Sequence, residues 1–399
     1  MSAMSGRTVL ISGAGIAGPV LAYWLARHGF QVTMVERAAA IRSSGSPVDV
    51  RGPAVEVAER MGVMPRLRRA ATEVTGLTLV NGEGRRVGGV NMRAVQRAVG
   101  SREVEVPRGD LASILFEASR DHVEPLWGDS IATLDQDEHG VEVTFERAAP
   151  RRFDFVIGAD GLHSTVRRLA FGPEPDHVRH MGVYVATLPL DRPAEDRHHV
   201  VMYNTPGTMV AVHPSMGGPA LAAFMFRSPR APGFDHRDTE QHKRMVAAAF
   251  EGGSWRVPEL LEQVRTSGDL YFDSVSRVDL PRWSSGRVAV LGDAASCVSL
   301  FGDGSTLAIA GAFTLAEELA ADPAGHRAAL RRYEARHRVL VEPRQRGVAQ
   351  AAAVMIPATA AGLLARNLAT RLWPAAVAGG WMKRRLTPRR RPAASAVSG

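Results

Sequence analysis

The sequence predicts an α/β fold: a Rossmann-like domain with an inserted antiparallel-sheet domain and a helical C-terminus. Two observations predict it. Three short glycine-and-acid segments each follow an apolar run that reads as a buried strand: Gly13-Ala14-Gly15-Ile16-Ala17-Gly18, Gly158-Ala159-Asp160-Gly161 and Gly292-Asp293-Ala294-Ala295. Between the second and third, from about Met181 to Phe226, strand-like runs separated by turn residues take over.

The first segment has the clearest physics. Thr8 to Ile11 reads as a parallel strand, and Pro19 to His28 carries Val20, Leu21, Trp24 and Leu25 at helical spacing. In the turn between them Gly13 can adopt unusual dihedrals, Gly15 lets backbone approach a pyrophosphate, and Gly18 lets helix and strand pack closely. Ala14, Ile16 and Ala17 complete the turn, and the helix start offers N–H groups to an anion. A second strand, Gln31 to Val35, ends in Glu36, 18 residues after Gly18. An acid there accepts from ribose hydroxyls and repels a 2′-phosphate, so the site is expected to hold FAD or NAD rather than NADP.

The remaining elements follow in order. A polar loop runs from Arg37 to Pro47, then Val48-Asp49-Val50, then a helix from Pro53 to about Met61. Leu77 to Val90 turns as a hairpin at Asn81-Gly82-Glu83-Gly84, and Asp110 is expected to cap a helix. Strands are expected around 131–135, 141–145 and 153–157, then at 182–190, 199–203, 208–212 and 221–226. Helices at 240–250 and 259–264, a strand at 287–291 and a helix over about 306–319 come next, and 323–373 reads as mostly helical.

Composition narrows the class. Of 399 residues, 49 are basic and 41 acidic, a net +8, but six of the positives sit in Lys383-Arg384-Arg385 and Arg389-Arg390-Arg391. Without that basic end, expected to be a disordered tail, the body is nearly neutral and gives no case for nucleic acid. Cys297 is the only cysteine, so no internal disulfide or thiolate cluster can form, and a cytoplasmic setting is expected. No metal-ligand spacing and no apolar run long enough for an integral membrane helix is evident.

The motifs together resemble the class A flavoprotein monooxygenases, the aromatic-hydroxylase-like group that includes tetracycline-modifying enzymes. The resemblance rests on the first glycine motif with Glu36-Arg37, on Arg108-Gly109-Asp110-Leu111, on Gly158 through Asp160, Ser164 and Arg167, and on Gly286-Arg287-Val288 through Asp293. It implies FAD, with NADH or NADPH as a transient electron donor, and O2 oxygenating a small organic substrate, aromatic or polyketide-like, by way of a flavin C4a-hydroperoxide. It divides the chain into FAD-binding parts at 1–75, 101–177 and 271–322, a substrate domain at 76–100 and 178–270, C-terminal helices at 323–382 and the tail at 383–399. Arg108, Asp49 and Arg42 are implied to lie against the cofactor or NAD(P)H, and Asp160 to hold the FAD site.

Asp293 ends a strand where ligands of α/β sheets collect and can accept from a ribityl hydroxyl. Gly302, Gly304, Ser305 and Thr306 open a helix whose N–H groups would face the flavin, with Ser305 or Thr306 also a possible cap. On the inserted sheet, Tyr203, His213, Met225 and Arg227 are candidates for substrate contact by strand position, with core packing as the ordinary alternative. The sequence departs from the family at Ser296, where an aromatic or histidine is common, and at Leu300, where a proline is common. A flavin dehydrogenase or reductase without productive oxygenation is therefore the rival reading, and a non-enzymatic flavin-binding or basic-tail interaction protein a third.

Overall fold

The strand Thr8–Ser12 lies at the heart of a six-stranded sheet. It pairs in parallel with Gln31–Glu36 on one side and Phe155–Gly158 on the other. Val288–Val290 continues the parallel run beyond Phe155–Gly158, and Val123–Trp127 continues it beyond Gln31–Glu36. Val9, Leu10, Ile11, Val156 and Ile157 are fully buried, which is why these strands read as unbroken apolar runs. The strand Val123–Trp127 escapes sequence reading because Glu124 and Pro125 interrupt it; Pro125 is tolerated at the parallel sheet's edge. The computed structural model describes residues 6–41, 46–92, 102–215, 218–297, 303–322 and 325–371.

The helix Ala17–Arg27 packs against the helix Asp303–Ala321, which in turn packs against His326–Met355. Asp303–Ala321 begins three residues earlier than the sequence suggested. Arg108–Ser119 likewise begins before the expected cap: Pro107 precedes it with φ near −52°, so Asp110 falls inside the first turn instead of at the N-cap. There its charge faces the positive helix end.

The second sheet has seven strands in the order Tyr271–Val278, Val178–Pro189, Leu221–Arg227, Thr208–His213, His199–Thr205, Gly76–Val80, Arg86–Asn91. It is antiparallel except where His199–Thr205 runs parallel to Gly76–Val80. Tyr271–Val278 pairs along most of Val178–Pro189, so this sheet extends past residue 270, where the sequence had placed its end. Alternation gives the sheet two dissimilar faces. Tyr184, Phe224, Phe226 and Phe272 pack beneath the helices Thr239–Ala249 and Val257–Thr266. Val183, Met202, Met209, Ala211, Met225 and Val275 join the core of the parallel-sheet body.

The C-terminal helices are docked by polar contacts at one turn. Arg227 Nε donates to Ile356 O (2.7 Å), Gly207 N to Pro357 O (2.9 Å) and Asn204 Nδ2 to Met355 O (3.0 Å). Arg366 then reaches Asn204 Oδ1 (3.0 Å). Among the described residues, no single helix is long and apolar enough to cross a membrane. Arg42, Leu300, Gly302 and the basic tail lie outside the described residues.

The first glycine turn is the tightest joint. A Cβ on Gly18 would sit 1.9 Å from the carbonyl oxygen of Gly13, and one on Gly13 (φ +107°) 2.5 Å from that of Ala159. Because both obstacles are backbone, Gly18→Val is expected to destabilise the fold by about 3 kcal/mol or more, read as a fall in the urea midpoint.

Candidate active site

Four neighbouring parallel strands deliver all three motifs to one edge. In spatial order the strands are Val288–Val290, Phe155–Gly158, Thr8–Ser12 and Gln31–Glu36. Their carboxyl ends lead into Asp293, Asp160, the glycine turn and Glu36. At normal strand spacing this row spans about 14 Å. It lies at the edge where α/β sheets bind ligands. Glu36, Asp160 and Asp293 are thus brought into one line rather than into separate crevices.

At one end, Glu36 accepts hydrogen bonds from Ala14 N (2.9 Å) and Ala38 N (2.8 Å). The carboxylate braces the glycine turn and keeps acceptor capacity for hydroxyls. Within the turn Gly15 alone is exposed, and a Cβ built on it would meet nothing within 4 Å. The helix that follows has neither a side-chain cap nor an acid in its first turn. Open space over a bare glycine, beside an uncapped helix start, is an anion cradle. Arg37 is exposed beside it.

In the middle, Asp160 knots the motifs together. It accepts from Ser12 Oγ (3.3 Å), Ser164 Oγ (2.5 Å) and Val166 N (3.1 Å). Burial raises its pKa, and these hydrogen bonds oppose the rise. Arg167, 1% exposed, donates to Ala294 O (3.0 Å) and to Leu162 O, fastening the second motif to the third.

At the far end, burial raises the pKa of Asp293, with Arg108 opposing and Asp273 reinforcing the shift. A Cβ on Gly304 would lie 3.5 Å from Asp293 Oδ1, so the start of the helix Asp303–Ala321 faces that carboxyl. Ser305 and Thr306 do not cap this helix. They lie inside it and both hydroxyls donate to Asp49 O (2.6 and 3.2 Å), tying the strand Val48–Val50 to the helix start. Asp49 faces Arg51 (3.4 Å), which also binds Asp303 (2.7 Å). Burial pushes the Asp49 carboxyl up to about 6 against the pull of Arg51. Arg108 is exposed and, among the described residues, makes no ion pair or hydrogen bond.

The sheet opposite sorts the substrate candidates. Tyr203 is a correction: it lies in the core beneath the outer helices, 6.1 Å from Trp255 ring to ring, and does not face the cleft. Strand parity explains this, since Met202 takes the inward position. Met225 is on the inward face but packed into the core. Arg227 is inward too, with its Nε engaged by Ile356 O, so it anchors the C-terminal turn. His213 is inward and partly accessible, its Nδ1 buried without a partner.

Tyr271 was missed. Its ring is 39% exposed, yet burial raises its pKa, and Asp273, Arg108 and Asp293 act on it electrostatically. Accessibility within desolvating surroundings marks a residue lining a cleft. A lone tyrosine opening a strand gives no sequence signal for this.

His163 was also missed as a bridge. Its ring nitrogens meet Glu174 (3.1 Å) and Asp273 (3.3 Å), and its ring stacks on His236 at 3.9 Å. The second motif is thereby tied to the inner face of the substrate-side sheet.

The family follows from comparison. A family model described as "FAD binding domain" matches residues 7–344, and the chain belongs to that family. It is 40% identical over 344 residues to an uncharacterized protein of Mycobacterium tuberculosis, covering 85% of this chain and 92% of the relative. It is 33% identical to a flavin-dependent monooxygenase of Legionella longbeachae, covering 85% of this chain and 87% of the relative. The crystal structure of tetracycline destructase Tet(51) superimposes with a TM-score of 0.81 at 28% identity, covering 97% of this chain and all of that one. The protein is an FAD-dependent monooxygenase of the class A type. Its residues fit the cofactor: the space over Gly15 would be filled by any Cβ, and the donor set combines free N–H groups with hydroxyl-accepting carboxylates.

Two outcomes follow from this geometry. Glu36→Ala removes an acceptor shared by two backbone amides, so FAD affinity is expected to fall tenfold or more in a fluorescence titration. His163 supplies a pH signature. Burial disfavours its charged form, but Asp273 and Glu174 outweigh that and push it up to about 9 from an ordinary 6.5. The folded state thus holds a proton that the unfolded chain gives up. The resulting stability is fully present below about pH 6.5 and is lost as pH rises through about 9. Relative to His163→Phe, the wild type should lead by about 2 kcal/mol near pH 6 and lose most of that lead by about pH 10, read from urea midpoints.

Proposed function

We propose that the protein uses NADH or NADPH and O2 to oxygenate a small aromatic or polyketide-like molecule. The observation that carries this reading is the meeting of Asp293, Arg108 and Tyr271, where the far end of the cofactor row abuts the inner face of the second sheet. One oxygen atom enters the substrate and the other leaves as water, the nicotinamide supplying two electrons. FAD, when bound, supplies the electron relay and the oxygen-activating centre.

The chain's own residues have separable tasks in this reading. The glycine turn of Gly13 to Gly18 and Glu36 bind the adenosine half, with Arg37 beside them. Asp160 positions both neighbouring motifs. Asp293 accepts from the ribityl chain. Arg108, and the helix start at Gly304, Ser305 and Thr306, stabilise negative charge at the flavin end. Asp49, through its carbonyl, holds that helix start in place. The inner sheet face and the docked C-terminal helices exclude water. The name of the destructase relative supports a polycyclic substrate, and the single cysteine suits a reducing cytoplasm.

The test is direct. Purified protein should carry FAD, oxidise NAD(P)H faster when a productive substrate is present, and place label from isotopic O2 into the product. Stoichiometric peroxide without oxygenated product from any ligand that binds would instead favour the reductase reading. Asp293→Ala is expected to lower bound FAD at least tenfold while leaving the fold intact by circular dichroism, because it removes a ligand-facing carboxyl that makes no hydrogen bond or ion pair among the described residues.

A further inference from the structure

The helix Ala360–Arg371 is amphipathic in reverse. Its side against the protein is polar. Arg366 donates to Asn204 Oδ1 (3.0 Å) and Arg371 Nε to Val87 O (2.8 Å). A Cβ on Gly88 would come within 2.6 Å of Thr370 Oγ1, which places that hydroxyl beside the strand Arg86–Asn91. The opposite side recurs at Ala361, Leu364, Ala365, Leu368 and Ala369, all exposed and all apolar. Leu364 is 71% and Leu368 58% exposed. A surface helix ordinarily turns such a stripe toward the core. Val354, on the preceding helix, is exposed as well.

The charge of the same end is one-sided. Glu342 is the last acid in the sequence, and ten arginines and lysines follow it in 57 residues. Those ten exceed the net +8 of the whole chain, so the rest is slightly acidic. Past the helix the sequence continues Leu372-Trp373 and, further on, Trp381-Met382-Lys383-Arg384-Arg385. Tryptophan next to an aliphatic residue and followed by a basic run is the composition of segments that rest at a lipid–water boundary. A shallow apolar face and a polybasic stretch together hold a protein to a bilayer where either alone gives only marginal binding. A second copy of the chain is a poor occupant, because it would set two strongly like-charged ends side by side.

We propose that the outer face of the helix Ala360–Arg371, together with the basic end of the chain, is a docking surface for an anionic lipid bilayer, on which the protein lies without crossing it. Leu364 and Leu368 enter the acyl boundary, and the basic residues neutralise phosphate headgroups. Arg366 and Arg371 meanwhile keep the helix on the edge of the second sheet, so docking needs no rearrangement of the fold. The inference goes beyond the oxygenase reading and does not depend on it.

The FAD-loaded full chain can be sedimented with vesicles of phosphatidylcholine, alone or mixed with an equal part of phosphatidylglycerol. Binding to the mixed vesicles should be at least tenfold tighter, and should be largely lost when salt is raised to about 0.5 M. Leu364→Ser combined with Leu368→Ser should weaken binding to the mixed vesicles at least tenfold while keeping the wild-type circular dichroism spectrum. Lys383→Gln, Arg384→Gln and Arg385→Gln together should also weaken it at least tenfold, a second reading should the leucine pair fold poorly. Equal binding to the two kinds of vesicle overturns the proposal. So does vesicle binding unchanged by the leucine pair, which would leave charge alone at work. Pelleting without lipid that the leucine pair prevents overturns it too, and assigns the face to a second copy of the chain.

Discussion

The carboxylate of Asp160 is the constraint on which the rest of the site depends. Two strands must end side by side for Ser12 and Asp160 to meet, and the loop beyond must fold back for Ser164 and Val166 to reach the same group. Arg167 then extends the knot to Ala294 in the third motif. A buried carboxyl is unfavourable unless such donors surround it. The same contacts that relieve its burial therefore fix three distant segments in register. The glycines matter because they let backbones come close enough for this: a Cβ on Gly13 would strike Ala159 directly.

How legible this was in sequence varies with the range of the interaction. The strand, turn and helix at Thr8 to Arg27 were readable because each local preference agrees with the fold. The parallel strand order was less so, and Val123–Trp127 was invisible, since an edge strand with an exposed Glu124 and Pro125 carries no apolar run. The helix starts at Arg108 and Asp303 came early for local reasons that capping rules do not weigh, such as Pro107 fixing the entry. Ser305 and Thr306 looked like caps because their chemistry suits that task. The strand Val48–Val50, about 255 residues away in sequence, uses them instead.

The substrate side was harder to read than the cofactor side. A cofactor site built from backbone turns leaves a signature in glycine and acid spacing. The face of a sheet is written in strand parity, and one residue of offset reverses a side chain's face. Tyr203 and Met202 illustrate this: adjacent in sequence, they belong to different cores. Tyr271 opens a strand that sequence reading did not mark, within residues assigned to the FAD-binding part, so neither its face nor its neighbours could be inferred.

That strand, Tyr271–Val278, also explains how the two halves can act together. Its inner face presents Tyr271 to the cofactor end and Asp273 to His163, a member of the loop that carries Asp160. Glu174 grips the other nitrogen of the same ring and lies 3.7 Å from Arg167. A single ion cluster therefore connects the residue that organises the cofactor row to the edge strand of the second sheet. Displacing the second sheet would pull Asp273 from a charged imidazole in partly desolvated surroundings, where lost pairing is most costly. The seven-stranded sheet is thus held on one side by charge, and against the C-terminal turn by the hydrogen bonds that Arg227 Nε and Gly207 N donate to Ile356 O and Pro357 O.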